Sequence, residues 1–325
     1  MTTSMESELL DQLDRRLIAA LQCDARLTAE RAARVLGLSA RVAGRRLAAL
    51  LESGAVQVVA VPPREGPGST MLLRIKVLRG KLDTITAALA ARPDIAFVDM
   101  SAGGEEVAAV LTAAAGQRDR LVFRQLPATS AITSVSAQTV LHVYADATDW
   151  RLDALTAAER AELTLAGAPS RTEAELSPLD QALARALQGD ARLTATALAT
   201  RTGYPESTVR RRLGALLRDR ALLTQVIVDP RRLGLEVDAN LYLQVPPAHL
   251  DAAGRALAAH PAVHGVIALT GTANLSAAVW LRDLEELHRF ITRDLAPLSI
   301  SGIDTVLVGR AVKRPGHAPA GRSGQ

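Results

Sequence analysis

The sequence predicts an α+β protein in which a winged helix-turn-helix unit and a ferredoxin-like βαββαβ unit occur twice in tandem. Three observations carry this. Residues 13–55 and 179–221 align without a gap at an offset of 166 and are identical at 21 of 43 positions. Downstream, LAARPDIAFVDMSAGG (89–104) runs beside LAAHPAVHGVIALTGT (257–272) at an offset of 168. Within each copy, apolar residues at helical spacing come first and short apolar runs of strand length follow.

Each copy opens on an amphipathic helix, marked by Leu13, Leu17 and Leu21 in one and Leu179, Leu183 and Leu187 in the other. An Asp-Ala-Arg triplet closes both. Thr28 and Thr194 suit the N-cap of a short second helix, and Gly37 and Gly203 supply the permissive backbone of the turn that ends it. A third helix starts near Ser39 or Pro205 and buries Ala43, Leu47 and Leu50, or Val209, Leu213 and Leu216. The runs at 56–61 and 222–228 read as strands. The first βαββαβ unit takes strands at 71–77, 95–101, 106–112 and 132–144, with helices at 81–92 and 117–126. The second takes strands at 237–245, 263–270, 274–281 and 300–312, with helices at 248–260 and 283–295. One face of each sheet is covered by helices, leaving the other to pair with something.

The third helices carry the chemistry. Ser39, Arg41 and Arg45 lie on the polar face of one, Ser207, Thr208, Arg210 and Arg211 on that of the other, with Arg46 and Arg212 adjoining. A helix fits the major groove, where residues of its first turns reach base edges and arginines meet phosphates or guanines, so the expected partner is double-stranded DNA. The bland alternative, arginines solvating a helix face, loses weight because the three-helix context occurs twice. Gly44 stands where the second copy has Arg210 and costs about 1 kcal/mol of helix propensity relative to Ala, so the second reader is expected to be the stronger. Glu206, in the first turn, would repel phosphate and offers an acceptor to a cytosine amino group.

Composition narrows the alternatives. The chain has 325 residues, a formal charge of +4, a pI of about 9.7 and 48% hydrophobic residues. Aromatics are only 2%, which argues against a base-stacking platform for single strands. The lone Cys23 forms no intramolecular disulfide and no CxxC pair. There is no HExxH, GxSxG or phosphate loop, and His260 and His264 lack a third ligand at recognisable spacing, so no enzyme, metal or cofactor is expected. The absence of a leader pattern and of an apolar run near 20 residues points to a cytoplasmic protein without a membrane partner.

The combination LDxxL…LQxDAR…GLS…RRL…LLESGAV, followed by LAAHPAV…TGTANL…LHRFITRDLAPL…GI, resembles the Lrp/AsnC, or feast/famine, transcription regulators. The resemblance covers nearly the whole chain twice, more closely in the second copy. It implies a DNA-binding winged helix followed by a ligand-binding βαββαβ domain that pairs in dimers and assembles further as a homo-oligomer. It also places an amino-acid-like or other small effector near a Gly-x-x-Asp turn, here Gly103 with Glu106 and Gly271 with Asn274. Neither copy keeps the aspartate, and Asn274 offers hydrogen bonds without charge, which weakens the amino-acid inference. A tandem chain then looks like a fused homodimer, free to read unequal half-sites in an asymmetric operator. Pairing within one chain and exchange between chains satisfy the sequence equally. Two other readings are a sirohaem-decarboxylase-like enzyme, whose architecture is similar but whose His/Tyr/Arg cluster is missing here, and a metabolite sensor without DNA binding. The expected divisions are residues 1–62 and 178–230 for the winged helices, 69–146 and 236–313 for the βαββαβ domains, 147–177 for a linker that Trp150 anchors, and 314–325 for a disordered tail.

Overall fold

The computed structural model describes residues 9–61, 70–112, 115–164, 176–219 and 221–314. The N-terminal MTTSMESE, the turn-prone stretch at 167–175 and tail residues 315–325 lie outside the described residues. The elements in chain order are α1 (Gln12–Cys23), α2 (Ala29–Leu36), α3 (Ala40–Glu52), β1 (Val56–Val61), β2 (Thr70–Val77), α4 (Leu82–Ala90), β3 (Ile95–Ser101), β4 (Glu106–Thr112), α5 (Ala115–Arg120) and β5 (Ile132–Ala145). There follow α6 (Ala157–Leu163), α7 (Pro178–Leu187), α8 (Ala195–Thr202), α9 (Glu206–Arg218), β6 (Leu223–Val228), β7 (Val237–Gln244), α10 (Leu250–Ala258), β8 (Val263–Leu269), β9 (Leu275–Leu281), α11 (Leu284–Arg289) and β10 (Gly302–Lys313). Where one helix is expected at 117–126 and another at 283–295, α5 and α11 each run into a wider π turn, Leu121–Gln125 and Phe290–Asp294. The chain divides into two compact units, and each gathers both copies of one domain type: Met1–Pro63 with Arg151–Gly234, and Arg64–Trp150 with Leu235–Gln325.

In the helical unit the caps are those the sequence suggests. Thr28 and Thr194 accept from the backbone N–H groups of Arg31 and Ala197. Gly37 and Gly203 end α2 and α8 at φ of 69° and 76°, a left-handed conformation that glycine adopts without the Cβ penalty. The strand after each third helix finds its partner in the other copy: β1 and β6 form one antiparallel ribbon centred on Val59 opposite Gln225, positions related by the repeat offset. A wing hairpin inside each copy is therefore replaced by a ribbon shared between them. Val58 and Ala60 of β1 enter the same core as Leu183, Leu198 and Leu213 of the second copy. The connecting segment also belongs to this unit. A Thr156/Glu159 capping box starts α6, Glu159 pairs with Arg16 at 2.5 Å, and Arg31 donates to the Leu163 carbonyl.

In the sheet unit the two faces left open by the helices close on each other. Eight strands form a barrel in the order β10-β3-β4-β2-β5-β8-β9-β7. Its two seams are equivalent: Val140 opposite Leu269, His142 opposite Ala268 and Val143 opposite Ile267 map by the 168 offset onto Ser101 opposite Val308, Met100 opposite Arg310 and Asp99 opposite Ala311. Each copy keeps its own core between sheet and helices, around Leu73, Ile75 and Leu111 in one and Leu241, Val266 and Phe290 in the other. A smaller cluster of Leu72, Val140, Tyr242 and Leu269 joins them.

Arg314 corrects the expectation of a tail that begins there. Its guanidinium lies over the Phe97 ring at 3.9 Å and pairs with buried Asp99 at 2.6 Å and with Asp238 at 3.0 Å. The charge of a residue expected in the tail is required by buried Asp99 on β3 and half-buried Asp238 on β7. Trp150 anchors as expected, donating from Nε1 to the Pro261 carbonyl and packing edge-on against Trp280.

Candidate nucleic-acid interface and effector site

Both third helices bury the stripe their spacing predicts and leave the opposite face to solvent. Ser39 caps α3 by accepting from the Val42 N–H, and Arg41 and Arg45 stand exposed beyond it. In α9 the exposed residues include Ser207, Arg210 and Arg211, with Thr208 half-buried. No ion pair engages Arg41, Arg45 or Arg211 among the described residues. Arg210 differs, because it is paired with Glu206 one turn back, and Glu206 also accepts from Thr196 Oγ1 at 3.0 Å. The glutamate expected to await a cytosine is already bound by its own helix and by α8.

Arg46 and Arg212, expected beside the polar face, are engaged by carboxylates of the first helix of their copies. Arg212 grips Asp180 with two nitrogens at 2.5 and 2.6 Å, and the Asp180 side chain is fully buried. This hydrogen-bonded pairing holds the carboxyl below the usual aspartate range. Arg46 makes the equivalent bonds to Asp14 at 3.1 Å and adds Asp11 at 2.6 Å. Burial pushes Asp14 up despite the arginine, whereas Asp11, which caps α1 by accepting from the Asp14 N–H, is held down. These arginines fasten the third helix to the first in both copies.

Sequence reasoning missed one further set. Arg26 donates to the carbonyls of Ala191 and Leu193 at 2.5 and 2.7 Å, and Arg192 donates to those of Ala25 and Leu27 at 2.7 and 3.0 Å. The two arginines and their acceptors are each related by the 166 offset, so this is a reciprocal clasp across a pseudo-twofold axis. Burial pulls both guanidinium pKa values down. The identical Asp-Ala-Arg triplets were the available signal.

On the sheet unit the two predicted effector positions part company. Glu106 receives both nitrogens of Arg74, at 2.7 and 3.0 Å, and Arg74 also reaches Asp304 at 2.8 Å while lying 3.9 Å over the Tyr242 ring. Arg74 and Tyr242 are themselves equivalent positions of the repeat. In this β3–β4 connection the left-handed residue is Gly104 rather than Gly103. In the second copy Gly271 is left-handed and lies against Gln138, which donates to the Thr270 and Ala273 carbonyls. The Asn274 amide both accepts from and donates to the Val245 backbone. Beside it opens a cleft of about 540 Å³, lined by Gln244, Val245, Pro246, Gly271, Thr272 and Ser301 among others.

A helix-turn-helix pair joined to a pair of βαββαβ domains defines the class of protein. The model of the AsnC-type helix-turn-helix domain matches residues 10–51 and 176–217, and that of the Lrp/AsnC ligand binding domain matches residues 240–317. An HTH-type transcriptional regulator of Pyrococcus horikoshii is 30% identical over 152 residues, which are 46% of this chain and 96% of that protein. One from Pyrococcus abyssi is 32% identical over 146 residues, 44% of this chain and 92% of that protein. This chain belongs to the Lrp/AsnC family, as a tandem form in which each of these relatives spans about half its length. The crystal structure of the siroheme decarboxylase NirDL shares the fold, with a TM-score of 0.59 at 15% identity over 94% of this chain and 93% of that one. No helix among the described residues is long and apolar enough to cross a membrane.

Proposed function

We propose that this protein is a cytoplasmic, sequence-specific regulator of transcription that binds double-stranded DNA through α3 and α9 and senses a small effector through its sheet unit. One observation carries the DNA reading: exposed arginines without ion-pair partners among the described residues, Arg45 and Arg211, recur at equivalent places on two recognition helices that a pseudo-twofold axis relates, and Arg41 adds a third. Two readers fixed about one axis match the two half-sites of a duplex operator. The cleft beside Asn274 supports an effector held by neutral hydrogen bonds, since its lining residues carry no charged side chain.

Three histidines of the sheet unit are engaged by aromatic neighbours, which supports a regulator over a tetrapyrrole enzyme. His142 packs on Tyr144, His260 on Phe290, and His264 is stacked on Trp280. The test is fluorescence anisotropy with DNA from upstream of the protein's own gene beside a scrambled duplex, over a series of salt concentrations. Tighter binding to the native duplex, weakening steeply with salt, is expected. Equal binding to both duplexes would remove sequence-specific reading of that fragment, and a Soret band on incubation with a tetrapyrrole would restore the enzyme.

A further inference from the structure

The two recognition helices present different chemistry at matched positions. Arg41 in the second position of α3 corresponds to Ser207 in α9, Gly44 to Arg210, and Arg45 to Arg211. Arg45 and Arg211 are alike in being exposed and free of ion pairs among the described residues. At the second helical position, one reader offers a guanidinium and the other a hydroxyl. The arginine that the second reader gains in place of Gly44 brings no net charge, because Glu206 neutralises it and Thr196 holds that glutamate.

We infer that the chain reads an imperfect inverted repeat whose half-sites share the base pair facing Arg45 and Arg211 and differ at the base pair facing Arg41 and Ser207. The first half-site requires a guanine there, because an arginine can donate twice to its O6 and N7. The second half-site has no such requirement, since a serine hydroxyl bonds to several bases. The first reader is thus the more discriminating, the reverse of what the helix propensity of Gly44 suggests. This inference rests on the proposed DNA-binding function.

The test is selection of duplexes from a randomised pool by the full chain, repeated with Arg41→Ser and with Ser207→Arg. Both positions are exposed on the helix surface, so unchanged melting temperatures verify the fold. The native chain is expected to enrich a repeat with guanine at the deciding position in one half-site only. Arg41→Ser should erase that preference, with about a tenfold loss of discrimination measured on the isolated operator. Ser207→Arg should install it in the other half-site. Half-sites that are identical at that position, or an unchanged preference in Arg41→Ser, would overturn the inference while leaving DNA binding intact. Failure to enrich any sequence would overturn the proposed function, and this inference with it.

Discussion

On the third helices, a buried carboxylate within reach decides whether an arginine holds the fold or faces solvent. Arg212 and Arg211 are neighbours on α9, but only Arg212 meets buried Asp180. Arg212→Ala strands that carboxylate without its bidentate partner. The cost is about 3 kcal/mol, at the lower end for a broken buried pair because the arginine itself is half exposed. Arg211→Ala should change stability by less than about 0.5 kcal/mol. Denaturant titrations read both; equal midpoints for the two variants would refute the division.

Asp99 gives the residue scale its pH dependence. Burial raises its carboxyl to about 6, against the opposing Arg314 charge. Burial also pushes Asp238 up, but the His264 hydrogen bond and Arg314 outweigh it and hold that group down. A carboxyl whose folded pKa is raised imposes no penalty below its unfolded value near 4 and its full penalty above about 6. As pH climbs through that window, the stability of Asp99→Asn relative to the native chain should therefore rise. Melting temperatures recorded from pH 4 to 7, about the range between the two pKa values, check this; a constant difference would mean that Asp99 does not titrate there.

Single elements were legible in the sequence wherever local chemistry defines them. Threonine caps, left-handed Gly37 and Gly203, and the stripes of α3 and α9 all depend on residues a few positions apart. The π turns were hidden because an apolar stripe continues through them. The roles of Arg46, Arg212 and Arg314 were hidden because their partners lie on other elements, Arg314 reaching back to Asp99 and Asp238. Gly44 tests the balance between propensity and packing in α3. An added Cβ there would approach Ala29 Cβ at 3.4 Å, ordinary contact between α2 and α3. Gly44→Ala should therefore raise stability by up to about 1 kcal/mol. A lowered melting temperature would show that the two helices cannot accommodate the methyl group.

At the scale of the whole molecule, duplication places both halves of a symmetric pairing in one chain. The reciprocal Arg26 and Arg192 clasp, the shared β1–β6 ribbon and the two matched barrel seams are satisfied without a second chain. A homodimer held by such contacts melts at a temperature that depends on protein concentration, because dilution favours the separated subunits. Here the melting temperature should stay constant over roughly a hundredfold dilution. The clasp also ties the copies energetically. Each guanidinium makes two hydrogen bonds to carbonyls in a half-buried place, so Arg26→Ala alone should cost about 2 kcal/mol. Arg192→Ala should cost a similar amount, and the double variant more than the sum, because each single variant also relieves the repulsion between the two arginines, a gain the double variant makes only once. A melting temperature that falls on dilution would show that contacts between chains, whether exchanged strands or further assembly, contribute to the stability of the fold. Strict additivity in the clasp variants would show two independent contacts in place of one coupled device.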